Sequence, residues 1–184
     1  MTDVATNNRY NALSIALHWL MVLLFVAVYA AIELRELFPK GSDPREALKS
    51  LHFTLGLSIF ALAWVRIAAR IVSSPPVGGG SSQRLIAGVV HAGLYFLMIG
   101  MPLAGWLILS AEGKPVSYFG VHLPPLTGVN GGLAERVEDM HRLVGTIGYW
   151  LIGIHALAAI IHHYVLRDGL LARMIPSRRR KRPA

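Results

Sequence analysis

Residues Met140 to His163 read MHRLVGTIGYWLIGIHALAAIIHH, and this run decides what kind of protein the chain forms. From about Leu143 to Leu166 it is apolar over the roughly 20 residues that a helix needs to cross about 30 Å of hydrocarbon. Yet it carries His141 and His155. An ionisable side chain at membrane depth is costly and marks a functional site whose partner has to be found. Over the fourteen residues separating them a helix rises roughly 21 Å and brings both within about 40° of one face. One helix therefore offers two inward imidazoles at two depths, and the rest of the chain must supply what they face.

The rest of the chain is built for the same environment. Of its 184 residues 54% are apolar and only 15% charged, with a mean hydropathy of +0.49. An ordinary soluble domain is roughly 45–50% apolar and about 25% charged. Three further apolar runs, from about Leu13 to Ile32, Leu51 to Val72 and Leu85 to Ser110, each reach spanning length. None shows the alternation of a barrel strand, so helices are expected, because only they satisfy their own backbone hydrogen bonds in lipid. The expected fold is all-α: a four-helix membrane bundle forming one domain over residues 1–184, with helices at about 13–32, 51–72, 85–110 and 143–166. The first run carries His18 and Trp19 and lacks an A-x-A-like cleavage site before Glu33, so it is expected to remain a span. Residues 73–83, SSPPVGGGSSQ, read as a flexible linker, and Ala111 to Met140 as a Gly- and Pro-rich connection.

Charge sets the expected sidedness. The formal net charge is +8, and much of the excess is Arg178 to Arg182 in the basic tail 173–184. On so hydropathic a chain this tail suits an anionic lipid surface rather than nucleic acid. With the N-terminus inside, Arg9, Arg66, Arg70, Arg84, Arg167, Arg173 and the tail lie on the cytoplasmic side. Both termini are then cytoplasmic. Helices 2 and 4 enter from outside, so His52 stands level with His141, and His18 of helix 1 with His155.

The chain contains no cysteine and eight histidines. That excludes disulfides, thiolate-bound iron–sulfur clusters, covalently attached c-type haem and thiol nucleophiles, leaving imidazole as the metal ligand. Two imidazoles facing each other with no carboxylate nearby are the axial ligand set of a b-type haem. The pairs His52 with His141 and His18 with His155 predict two haem b groups per chain. Gly56, Gly145 and Ala159 each follow a proposed ligand by four residues and leave room for a flat macrocycle. His91 lies at the inner depth, where it competes with His18 as ligand or, the favoured reading, hydrogen-bonds a haem propionate or a neighbouring helix. His162 follows His155 by seven residues on nearly the same face, either to hydrogen-bond a quinone carbonyl or to face headgroups. His163 and His122 are expected to be unligated. Trp19, Tyr29, Trp64, Trp106, Tyr149, Trp150 and Tyr164 read as interfacial belt and bundle packing. Pro102 with Gly105 suggests a kink in helix 3.

In this order, Tyr10 with Leu17-His18-Trp19-Leu20, Lys49-Ser-Leu-His52 before Gly56, Met101-Pro102-Leu-Ala-Gly105-Trp106, Gly113 to Gly120, Met140-His141 before Gly145, and Gly153-Ile-His155 through His162-His163 resemble the bacterial diheme cytochrome b561 family. The resemblance covers nearly the whole chain. It implies four spans, the two haem pairs above, and electron transfer across the inner membrane to ubiquinone, with His162 at the quinone. In length and layout the chain is most similar to the members that oxidise periplasmic superoxide. For a small anionic donor, Lys49, three residues before His52, and Arg142, next to His141, would steer the approach; Glu135, Glu138 and Asp139 oppose it. The alternative is a haem b conduit and membrane anchor fed by a partner dehydrogenase or hydrogenase. A metal transporter fits poorly, since no carboxylate interrupts the spans.

Overall fold

The computed structural model describes residues 10–72, 80–169 and 171–175. Arg9, most of the expected linker and the basic cluster Arg178 to Arg182 lie outside the described residues. Four helices, α1 (Ala12–Leu34), α2 (Asp43–Val72), α3 (Ser81–Ala111) and α4 (Gly131–Tyr164), are each long and apolar enough to cross a membrane. A 3₁₀ turn, Arg35–Leu37, follows α1, and a second, Leu171–Met174, follows α4. The fold is thus all-α apart from one small hairpin. The ends carrying His52/His141 and His18/His155 are termed outer and inner, after the sidedness expected from the charges.

Two helices start a full two turns or more before their apolar runs. The α2 helix begins at Asp43, where Asp-Pro opens the first turn and Asp43 and Glu46 suit its positive end. The α4 helix begins at Gly131, capped by the Asn130 side chain, which accepts from the Leu133 amide at 3.0 Å. Apolarity marks where lipid begins, whereas capping and helix-forming residues mark where a helix begins, so His52 and His141 sit well inside continuous helices. Pro102 lies within α3, which continues through it.

The Ala111–Met140 stretch also holds more structure than a loop. Val116–Tyr118 (β1) pairs antiparallel with Val121–Leu123 (β2), Ser117 opposite His122. Its two-residue turn places Phe119 at φ 48° and Gly120 at φ 82°, the two positive values a tight hairpin requires. Val116 is buried against Leu57 of α2 and Leu109 of α3, and the Trp106 indole donates to the Pro124 carbonyl at 3.0 Å. The hairpin is thereby fastened over the outer ends of α2 and α3.

Helix α1 packs on α2, α2 on α3, and α3 on α4. Met21, Val28, Ile59, Ala63 and Met98 form the main core, all from α1, α2 and α3. In lipid, close packing of such residues rather than water exclusion holds helices together. The α4 helix contributes only Ala134 and Gly148 as buried residues. It is joined to α1 by polar contacts: the Tyr29 hydroxyl donates to the Gly145 carbonyl at 2.9 Å, and the Tyr149 hydroxyl to Glu33 at 2.7 Å. At the inner end the Trp19 indole donates to the Met174 carbonyl at 2.8 Å, holding the chain after α4 against α1.

Candidate functional site

The outer histidines come from α2 and α4. The ring centres of His52 and His141 are 6.3 Å apart, with planes at 71°. His52 Nδ1 lies 2.9 Å from the Val28 carbonyl oxygen. A carbonyl can only accept, so Nδ1 carries the proton and Nε2 keeps its lone pair. The Nδ1 of His141 is buried without a hydrogen-bond partner. Beside the rings lies a cavity of about 430 Å³, lined among others by Phe53, Gly56, Met101, Gly105, Trp106 and Gly145. A Cβ at Gly56 would meet nothing within 4 Å, and one at Gly105 would stand 3.7 Å from Cε1 of His141. The glycines leave the space that a planar group between the helices needs.

The inner histidines come from α1 and α4. His18 and His155 repeat the outer geometry: 6.3 Å between ring centres and planes at 70°. His91 of α3 stands closer to His155, at 5.5 Å. Arg66 Nη2 is 3.4 Å from His18 Nδ1. Arginine only donates, so this nitrogen accepts, the reverse of the arrangement at His52.

Two imidazoles bound on opposite sides of one metal, with bonds of about 2.0–2.1 Å, place their ring centres about 6–6.5 Å apart. Both cross-bundle pairs meet that spacing, and His91–His155 falls short of it, which favours His18 over His91 as the partner of His155. Among the described residues no cluster of three or more His, Asp or Glu side chains could hold a metal ion. Two protein ligands per site are too few for a bare zinc ion and match an iron whose four equatorial ligands come from a macrocycle. The donor set, the spacing and the glycine-lined space all fit haem b.

The other expected residues are dispersed. Lys49 lines the mouth of the outer cavity with Arg35 and Arg142, alongside Glu33, Glu36, Glu112 and Glu138. Arg142 is paired with Glu138 at 2.9 Å and Lys114 with Glu112 at 3.0 Å, so part of the positive charge is neutralised in place. His162 lies at the inner end, its Nδ1 hydrogen-bonded to Asp168. His122 bonds Ser117 across the hairpin at 2.9 Å, and the Nδ1 of His163 is buried and unpartnered. For two residues the sequence gives only part of the role. Arg66 was counted only as a cytoplasmic-side charge, although a cation inside an apolar run was a signal. Tyr29 reads from sequence as interfacial belt or bundle packing, with nothing beside it to mark its partner on α4.

Comparison with known proteins agrees with this geometry. Residues 9–177 match the family model described as prokaryotic cytochrome b561. The chain is 36% identical over 177 residues to the probable superoxide oxidase CybB of Yersinia pestis, covering 94% of this chain and 99% of the relative. It is 33% identical to cytochrome b561 homolog 1 of Escherichia coli (strain K12), with 94% and 99% covered, and 29% identical to cytochrome b562 of Cereibacter sphaeroides, with 92% and 96% covered. With four membrane-spanning helices that bring histidines into facing pairs, the chain belongs to the prokaryotic cytochrome b561 family, a family of haem b electron carriers in bacterial membranes.

Proposed function

We propose that this chain is a diheme superoxide:ubiquinone oxidoreductase with both termini in the cytoplasm. The observation that carries the reading is the pair of imidazole pairs, identical in spacing, at opposite ends of the bundle. His52 and His141 would hold the outer haem, His18 and His155 the inner one. When bound, haem b supplies a one-electron couple at each depth, which suits a donor that gives one electron at a time. The overall reaction balances as two superoxide anions losing one electron each to become dioxygen, while one quinone takes two electrons and two protons to become quinol. The likeness to the probable superoxide oxidase supports superoxide as donor, and Lys49 at the cavity mouth supplies positive potential for an anion. At the inner end Asp168 orients His162 through Nδ1, and a ring carrying a proton on both nitrogens would donate its Nε2–H to a quinone carbonyl.

A second reading, a conduit fed by a partner protein, is favoured by one observation: four carboxylates face three cations at the mouth, and Glu138 already occupies Arg142. Stopped-flow reduction of the purified, partner-free protein by superoxide decides between them. Haem reduction well above the rate of spontaneous dismutation is expected, and its absence assigns the chain to the conduit reading. His162→Ala should retain both haem bands while slowing reoxidation by quinone. Unchanged quinone kinetics would move the acceptor site elsewhere.

A further inference from the structure

The residue that holds the outer pair together belongs to neither ligand helix. Val28 and Tyr29 are consecutive on α1. The carbonyl of Val28 accepts from His52 at 2.9 Å, and the hydroxyl of Tyr29 donates to the carbonyl of Gly145, one turn beyond His141, at 2.9 Å. The Tyr29 ring also lies 4.3 Å from that of Tyr149, whose hydroxyl reaches back to Glu33 on the next turn of α1. Two adjacent residues of α1 thus touch one outer ligand directly and the backbone beneath the other. Gly148 makes this possible, because a Cβ there would collide with the Tyr29 hydroxyl and stand 3.3 Å from Leu97. Elsewhere α4 is poor in buried residues, so packing by itself leaves its distance from α1 weakly determined.

We propose that Tyr29 is a positioning residue of the outer site: its hydroxyl, seated over Gly148, sets the spacing of α4 from α1 and with it the separation and mutual angle of the His52 and His141 rings. The proposal rests on the reading of those two histidines as axial ligands. Tyr29 contributes no ligand; it acts through α4, as outer-shell groups act through the ligands they orient.

The test compares the full-length protein with Tyr29→Phe, Gly148→Ala and the double variant, using His141→Ala as control. Wild type should hold two haems and H141A one. Y29F keeps the ring and loses only the donor, so both haems should remain. The low-spin EPR signal and midpoint potential of the outer haem should shift while those of the inner haem stay unchanged. G148A should retain the outer haem about 10-fold less well, and the double variant should recover most of that loss, since removing the hydroxyl gives the new methyl room. If G148A does not fold, Y29F alone decides. Outer signals identical to wild type in Y29F, wild-type retention in G148A, or a double variant no better than G148A would each overturn the positioning role. Fewer than two haems in wild type, or two in H141A, would instead overturn the ligand reading beneath it.

Discussion

The two histidine pairs share one spacing and differ in what surrounds them. In the outer pair His52 donates to the Val28 backbone carbonyl, which leaves its Nε2 with a lone pair, while the Nδ1 of His141 is buried without a partner. The inner pair has a cation against it, Arg66 beside His18, and a third imidazole, His91, beside His155. Equal distances therefore do not mean equal sites. At His52 the arrangement suits a metal ligand, because the proton is on Nδ1 and Nε2 is left free to bind. At the inner pair the His18 Nδ1 facing Arg66 accepts, which puts the proton on Nε2, so binding iron through Nε2 would require that proton to leave Nε2 for Nδ1 and Arg66 to find another partner.

The largest expected effect separates the pairs outright. Alanine at His52 or His141 should remove the outer haem, and alanine at His18 or His155 the inner one. Pyridine haemochrome assay should find the ratio of haem to protein falling from about two to about one in each case, since each axial pair is ligated independently. Loss of both haems from a single change in a folded protein would break the comparison.

Preorganisation should appear next, as affinity. With one site disabled at a time, by H155A or H141A, haem titration should find the outer site about 10-fold tighter, the scale on which partners of metal ligands act. Equal affinities would make the His52–Val28 hydrogen bond irrelevant to binding. Arg66 should then distinguish the pairs by potential. Arg66→Gln is expected to lower the inner haem midpoint by roughly 50–100 mV, as a unit charge about 8 Å away does at an effective dielectric constant near 20. The outer midpoint should barely move in spectroelectrochemical titration.

Surface charge should matter less. Lys49→Gln is expected to slow haem reduction by superoxide about 2- to 5-fold at low salt, with the difference fading at physiological ionic strength. Arg142→Gln should do less, because Glu138 already neutralises that guanidinium. The smallest effect is structural: Asn130→Ala removes the α4 cap at a cost of about 1 kcal/mol. It should lower thermal stability slightly and leave the inner haem untouched.

The legible part of this protein was depth along the chain axis. Hydropathy places four spans, helix rise places His141 and His155 at two levels, and antiparallel threading assigns His52 and His18 to those levels, all from one-dimensional information. The same information puts His91 at the inner level but cannot rank it against His18. That took the ring separations, 6.3 Å against 5.5 Å, which depend on helix rotation and neighbour order. Helix starts at Asp43 and Gly131 were hidden for a different reason, since hydropathy reports the solvent around a helix and not its hydrogen bonds. Tyr29 was hidden most deeply. A tyrosine in an apolar run looks the same whether it faces lipid or clasps a neighbouring carbonyl, and the partner that decides, Gly145, lies 116 residues away. What the sequence determined by itself was therefore which residue types stand at which depth, because crossing a bilayer turns sequence position into height. What only the tertiary structure decided was who faces whom at that height, because rotation and lateral order of helices are set by packing and by single polar contacts between distant residues.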